Sequence, residues 1–160
     1  LLIFTVQKTM IWKPNVTVAA VIEQDGKYLL VEEEPEAGCG LFLNQPAGHL
    51  DPGESIIQGA IRETLEETAY TFVPEYLLGI YQWHSHRVDT TYIRFAFCGR
   101  VTHHDPERVL DDGILRAAWF DLDKIRQRIQ RHRSPLVMQC IQDHIAGKRY
   151  SLELLTHYES

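Results

Sequence analysis

Hydrophobic residues recur along this chain with two different periods, and one of them marks the predicted strands. Runs rich in β-branched and apolar residues, bounded by turn-forming residues, are typical of buried strands. Six segments have this pattern: residues 15–23, 27–31, 43–47, 71–83, 90–102 and 114–120. Between the first two, Gln24-Asp25-Gly26 predicts a turn, so these two strands should form a hairpin.

Helical spacing of apolar residues predicts three helices. The first should begin after residue 55, because Ser55 and Gln58 fit a capping box behind the turn at residues 51–53. Residues 122–131 and 135–146 also repeat their apolar positions at helical spacing. Strands first, one helix among them and helices last predict a layered α/β domain with a mixed sheet. We expect one domain over residues 13–155, with an arm at 1–12 and a tail at 156–160.

The first predicted helix has an apolar side and an acidic side. At about 100° per residue, four residues gather on the side that should face the core: Ile57, Ile61, Leu65 and Thr68. The opposite side carries carboxylates three and four residues apart, which can converge: Glu63, Glu66 and Glu67. Arg62 lies one turn before Glu66 and is expected to pair with one carboxylate at a time.

This acidic side has two interpretations, and their energetic costs differ. On a solvated helix face, like-charge neighbours cost only about 0.2–0.5 kcal/mol each. At about 5.5 Å in a partly buried setting, a carboxylate pair repels by roughly 3 kcal/mol. The side is therefore either a solvated surface or a site where a cation balances the carboxylates.

The sequence just before the helix favours the cation site. Residues 45–50 predict an extended piece that breaks into a loop, with glycines at Gly48 and Gly53. A strand–loop–helix unit of this kind lets backbone carbonyls and carboxylates approach one ion. Acidic oxygen ligands favour hard cations such as Mg²⁺ or Mn²⁺.

The overall charge narrows the range of partners. With 16 basic and 22 acidic residues, the chain has a net charge of −6, which argues against a nucleic-acid polymer or an anionic membrane as partner. A phosphate substrate is still compatible if a cation lies between it and the protein. Three widely spaced cysteines predict reduced thiols in a cytoplasmic protein. The sequence does not decide whether the protein is a monomer or a homodimer.

The acidic helix and its flanks resemble the Nudix (MutT-like) hydrolase family. The Nudix box, G-x5-E-x7-R-E-U-x-E-E-x-G-U with U a bulky apolar residue, matches six positions: Gly48, Glu54, Arg62, Glu63, Glu66 and Glu67. At about 7% per position, a chance match has odds near 10⁻⁵ over the chain. Two positions depart from the box: Thr64 replaces an aliphatic residue and Ala69 replaces a glycine. The alanine is strained only if its φ is positive.

The resemblance implies a Nudix-type α/β/α sandwich that hydrolyses nucleoside diphosphate derivatives with Mg²⁺ (or Mn²⁺). It implies that Glu63, Glu66 and Glu67 hold the metal with the Gly48 carbonyl, and that Glu63 doubles as the base. Arg62 would then orient the glutamates and Glu54 would have a supporting metal or salt-bridge role. A loop carboxylate, Asp111 or Asp112, is a further candidate ligand.

The predicted strands that follow the first helix carry the candidate substrate-binding residues. Trp83 and Tyr92 are candidates for stacking on a base, and Arg94 for binding a phosphate. His84 and His86 lie beside them, whereas Arg131, Arg133 and Ser134 suggest a solvated helix end. Other segments, from KPNVTVAAVI to GKRYSLE, resemble one phosphatase subfamily that cleaves nucleoside tri- and diphosphates and accepts hydroxymethylpyrimidine diphosphate. The alternative is a non-catalytic nucleotide-binding or regulatory module of the same fold.

Overall fold

Seven strands and three α-helices make up the part of the chain that the structure, a computed structural model, describes: residues 11–34 and 36–159. The strands are β1 (Asn15–Gln24), β2 (Lys27–Glu33), β3 (Phe42–Asn44), β4 (Ala47–His49), β5 (Tyr70–Ser85), β6 (Thr90–His104) and β7 (Ile114–Asp121). The helices are α1 (Ile56–Thr68), α2 (Leu122–Gln127) and α3 (Leu136–Ile145), with 3₁₀ turns at Ile129–Arg131 and Leu152–Leu154. The expected arm at residues 1–12 lies outside the described residues except for its last two positions.

The predicted elements are present, and two of them are divided. The segment expected at residues 43–47 becomes β3 and β4, because Pro46 has no N–H for a sheet hydrogen bond. The helix expected over residues 122–131 leaves the α conformation at Arg128, where φ is −102° and ψ is 20°, and continues as a 3₁₀ turn. Within the described residues, no helix has the length and low polarity that crossing a bilayer requires.

The strands form one mixed sheet in the order β3-β2-β1-β6-β5, with β4 also paired to β1 and β7 to β2. β1 and β6 are parallel, and the other pairs are antiparallel. The α/β fold class with a mixed sheet is therefore confirmed. The β1–β2 turn has Asp25 and Gly26 at φ 52° and 77°, the positive values that a tight hairpin turn requires.

Two hydrophobic cores lie on the opposite faces of this sheet. Alternate residues of β1 belong to different cores, with Ala19 on the side of α3 and Val18 on the side of α1. Burial on both faces explains why β1 is apolar throughout rather than alternating with polar residues. This is the α/β/α layering that the family resemblance implied.

α1 begins with the predicted capping box and ends in a strained conformation. Ser55 Oγ accepts from the Gln58 N–H at 3.1 Å, and Gln58 Oε1 accepts from the Ser55 N–H at 2.8 Å. Ala69 ends the helix at φ 59° and ψ 12°, in the left-handed region, and its N–H donates to the Leu65 carbonyl. The position where the Nudix box has glycine therefore does require a positive φ in this chain.

Ala69→Gly is expected to stabilise the protein. A non-glycine residue in the left-handed region costs of order 1–2 kcal/mol, against about 0.8 kcal/mol for the buried methyl that glycine lacks. We expect a rise in Tm of about 2 °C, measured by thermal unfolding. Ala60→Gly, at a buried position inside the same helix, is the control and should lower Tm. An equal fall in Tm for both variants would show that Ala69 is not strained.

Candidate active site

β4 lies directly against the carboxylates of α1. The Ala47 N–H donates to Glu67 Oε2 at 2.8 Å. At the next residue, a Cβ added to Gly48 would overlap the Glu63 carboxylate. A side chain at position 48 would therefore displace the Glu63 carboxylate, and glycine lets that carboxylate approach the strand closely.

The predicted division of α1 into a core side and an acidic side is only partly right. The buried residues of the helix are Gly59, Ala60, Glu63, Thr64, Glu67 and Thr68. Ile57 and Ile61 do pack against the core but stay half-buried. Glu63 and Glu67 are only 8% and 7% exposed, so the solvated interpretation is wrong for these two carboxylates. The packing of β4 against the helix, which the helical period cannot reveal, buries them.

Arg62 hydrogen-bonds three carboxylates at once and lies 3.5 Å from a fourth, that of Asp51, which corrects the expectation that it pairs with one at a time. Its Nε and Nη2 donate to the two oxygens of Glu54 at 2.9 and 2.7 Å. Its Nη1 donates to both Glu63 Oε1 and Glu66 Oε2 at 2.8 Å. The reason is that a guanidinium presents five N–H groups in a rigid fork, enough for several carboxylates. Its Nη2 also donates to the His49 carbonyl, at 2.9 Å.

The carboxylates of the site differ in how readily they ionise. Hydrogen bonds from Arg62 lower the pKa of Glu54. Burial raises the pKa of Glu63, although Arg62 opposes the shift. Burial also raises the pKa of Glu67, to about 9, although the Ala47 N–H partly opposes it. Glu67 is thus a buried carboxyl whose negative form has too little positive charge around it.

The expected loop carboxylate is better matched by Asp111 than by Asp112. The Asp111 N–H donates to the Glu66 carbonyl at 3.1 Å, which ties this loop to the end of α1. Its negative charge also contributes to the raised pKa of Glu63 and of Glu67. Both residues are exposed, and no hydrogen bond joins Asp112 to α1 in the described part of the chain.

The donors at this site suit a hard divalent cation in chemical type. Carboxylate and backbone oxygens are the ligands that Mg²⁺ and Mn²⁺ prefer. Glu67 has the raised pKa of a carboxylate that a nearby cation would stabilise in its charged form. In the described residues, no three acidic, histidine or cysteine side chains are already arranged for coordination. Nη1 of Arg62 donates to one oxygen of Glu63 and one of Glu66, and it makes no hydrogen bond to the second oxygen of either carboxylate.

A cleft of about 770 Å³ extends from Gly48 across the face of the sheet opposite to α1. All three predicted substrate residues, Trp83, Tyr92 and Arg94, line it. The rings of Trp83 and Tyr92 stack with centroids 5.5 Å apart and planes 19° apart. His84 instead contacts Asp89 and Thr91 on the β5–β6 hairpin.

Several residues that line this cleft were not predicted from the sequence to belong to it. The opposite wall includes Glu33, Asn44, Arg133 and Ser134. The expectation of a solvated helix end at residues 131–134 is wrong for Ser134, which is 5% exposed. The Arg133 N–H donates to the Leu43 carbonyl at 2.9 Å and fastens the loop to β3. No local pattern predicts this contact, because the two residues are far apart in the chain.

Comparisons with known proteins cover almost the whole domain. The NUDIX domain family matches residues 12–140. Phosphatase NudJ of Escherichia coli K12 is 37% identical over 144 residues, which cover 90% of this chain and 92% of that protein. The solved NUDIX hydrolase from Nitrosomonas europaea is 63% identical with a TM-score of 0.90, over 91% of this chain and 98% of that one. A MutT protein from Methanosarcina mazei Go1 shares the fold. It is 23% identical, with a TM-score of 0.65 over 88% of this chain and 100% of that one.

Proposed function

This chain belongs to the Nudix hydrolase family, and on that premise we propose that it is a Mg²⁺-dependent phosphohydrolase of nucleoside tri- and diphosphates. The observation that carries the proposal is the burial of Glu63 and Glu67 against β4 at one end of the cleft. Burying two carboxylates is costly unless a cation compensates them when the protein acts. A divalent cation would supply that balance and would also offset the negative charge of a phosphate substrate.

Each charged residue of the box receives a role in this proposal. Glu63, Glu66 and Glu67 would hold Mg²⁺ with the Gly48 carbonyl. Bound there, Mg²⁺ would neutralise phosphate oxygens and increase the acidity of the attacking water. Glu63 would accept the proton of the attacking water. Asp111 is a further carboxylate at the same end of the helix.

Arg62 and Glu54 act as positioning residues in this scheme. Glu54 holds the guanidinium through two hydrogen bonds, and its own carboxylate accepts from the Asp51 N–H at 2.8 Å. The anchored Arg62 then orients Glu63 and Glu66 through a single nitrogen. Glu54 is therefore assigned the salt-bridge role, since both of its oxygens already accept hydrogen bonds.

The cleft is the proposed substrate site. Trp83 and Tyr92 offer an aromatic surface for a base, and Arg94 offers N–H groups to the ligand. The proposed range also includes hydroxymethylpyrimidine diphosphate, as the family resemblance implies. A small phosphorylated metabolite of this size fits a cleft of about 770 Å³.

Phosphate release with and without Mg²⁺ tests the proposal. We expect product from a panel of nucleotides, dinucleoside polyphosphates, nucleotide sugars and hydroxymethylpyrimidine diphosphate only when Mg²⁺ or Mn²⁺ is added. Separate detection of orthophosphate and pyrophosphate identifies the bond that is cleaved. Tight nucleotide binding without a metal-dependent product would support the non-catalytic module instead. The presence of every glutamate of the Nudix box favours an enzyme over the non-catalytic module.

A further inference from the structure

Buried polar atoms without a hydrogen-bond partner are concentrated in the cleft. Six such side-chain atoms occur among the described residues, and five belong to residues that line it. These five atoms are Thr17 Oγ1, Asn44 Oδ1, Arg94 Nε, Arg94 Nη1 and Ser134 Oγ. Buried polar groups are nearly always paired in folded proteins, so unpaired groups on residues that line a cavity point to a ligand. We call these four residues the polar cluster.

The floor of the cleft brings part of the polar cluster close to the aromatic pair. Thr17 and Arg94 are direct partners across β1 and β6, and Arg94 is 8% exposed. Tyr92 lies two residues before Arg94 on the same face of β6, which is about 7 Å along the strand. Trp83 is the β5 partner of Tyr92. A ring placed against Trp83 and Tyr92 therefore has its edge within reach of Thr17 and Arg94.

The opposite wall supplies a hydrogen-bond acceptor. Asn44 Nδ2 donates to Glu33 Oε1 at 3.3 Å, and Arg133 Nε holds the same oxygen at 3.2 Å. An ionised carboxylate only accepts hydrogen bonds, so the Asn44 amide nitrogen must face Glu33. Asn44 Oδ1 is left as an acceptor without a donor.

The polar cluster thus combines donors with an acceptor, and this mixture identifies the ligand chemistry. Arg94 can only donate, Asn44 Oδ1 can only accept, and the hydroxyls of Thr17 and Ser134 can do either. A phosphate group carries acceptors alone and would leave Asn44 Oδ1 unpaired beside the acidic Glu33. The edge of a planar heterocycle with a donor next to an acceptor satisfies both kinds of group.

We propose that the polar cluster recognises the hydrogen-bonding edge of a nucleobase-like heterocycle, whose ring lies against Trp83 and Tyr92. The inference rests on the proposed function, because it places the phosphates of the same ligand at the α1 carboxylates. In this proposal Arg94 donates hydrogen bonds to the edge of the ring rather than to a phosphate. The proposal also makes Ser134 and Asn44 specificity-determining residues.

Thr17→Val and Ser134→Ala test the proposal, because each removes an unpaired hydroxyl and little else. We compare kcat/KM for a nucleoside triphosphate with kcat/KM for inorganic tripolyphosphate, which has no ring. Each variant should lower the ratio of the two values about 5- to 10-fold, while Tm stays equal or rises. A purely structural role would lower Tm and leave the ratio unchanged, and this result would overturn the proposal. Thr102→Val, at an exposed position of β6, is the matched control.

A binding measurement separates this proposal from the proposed function. If neither triphosphate is hydrolysed with Mg²⁺, the polar cluster is tested by calorimetry alone. If the rest of the substrate panel also gives no product, the proposed activity is wrong. The probes are the four common ribonucleoside 5′-monophosphates. Weaker binding of at least one to Thr17→Val and Ser134→Ala supports the recognition site. No binding to the wild type, or equal binding to the wild type and both variants, overturns it.

Discussion

Glu67→Gln is expected to lower kcat/KM for a nucleoside triphosphate by about 100-fold or more while the protein stays folded. The substitution removes a negative oxygen from the proposed Mg²⁺ ligands but keeps an oxygen that can accept from the Ala47 N–H. Loss of one preorganised charged group at a reacting centre costs about 10²–10³ in rate. Activity measured against Mg²⁺ concentration separates weaker metal binding from slower turnover.

Glu66→Gln is the companion variant and should show a comparable loss. Glu75→Gln is the matched control, because Glu75 is an exposed residue of β5 that pairs with Arg100 at 3.3 Å, away from the site. Near-normal phosphate release by both Glu66→Gln and Glu67→Gln would show that the catalytic assignment is wrong.

The same Glu67 variant should also change how stability depends on pH in the presence of a chelator. The pKa of Glu67 is about 9 in the folded protein, above its ordinary value of 4.5. Between these values the folded state holds a proton that the unfolded state releases, so the free energy of unfolding falls as pH rises from about 4.5 to about 9. The slope from one such proton is up to about 1.4 kcal/mol per pH unit. The difference between wild type and Glu67→Gln in denaturant unfolding isolates this contribution, and equal slopes would contradict it.

Arg62→Met is expected to destabilise the protein by about 3 kcal/mol, the usual cost of removing one partner from a largely buried ionic network. The side chains that would lose their cation are themselves only partly exposed, at 15% for Glu54, 11% for Glu63 and 28% for Glu66. Such a loss lowers Tm by about 6–12 °C in a protein of this size. Catalysis should fall as well, because Glu63 and Glu66 lose the group that orients them.

Two further arginine variants give this prediction its controls. Arg62→Lys keeps the charge but loses the fork that reaches three carboxylates, so its Tm should lie between those of the wild type and Arg62→Met. Arg116→Met removes a more exposed arginine that pairs with Glu32, and should cost about 1 kcal/mol or less. Thermal unfolding in a chelator is the measurement. If Arg62→Met and Arg116→Met have the same Tm, the network around Arg62 does not stabilise the fold.

The sequence alone was sufficient to predict most elements of this fold. Strand and helix periods and turn residues are local properties, and they placed β1, β2, β5, β6 and β7. The capping box of α1 is also local, since Ser55 and Gln58 satisfy each other within one turn. Likewise, the spacing of the acidic residues identified the family that the comparisons show. At position 69, where the box has glycine, the sequence left the sign of φ open, and the structure gives a positive value.

The tertiary structure decided how these residues act on one another. β4 buries Glu63 and Glu67. The fork of Arg62 hydrogen-bonds Glu54, Glu63 and Glu66 together, whereas the sequence had predicted one pairing at a time. The loop at residues 132–134 reaches β3, about 90 positions earlier, and brings Ser134 into the cleft. The physical reason is that burial, pKa and unpaired hydrogen-bonding groups depend on which distant segments pack together, and no period along the chain records that packing.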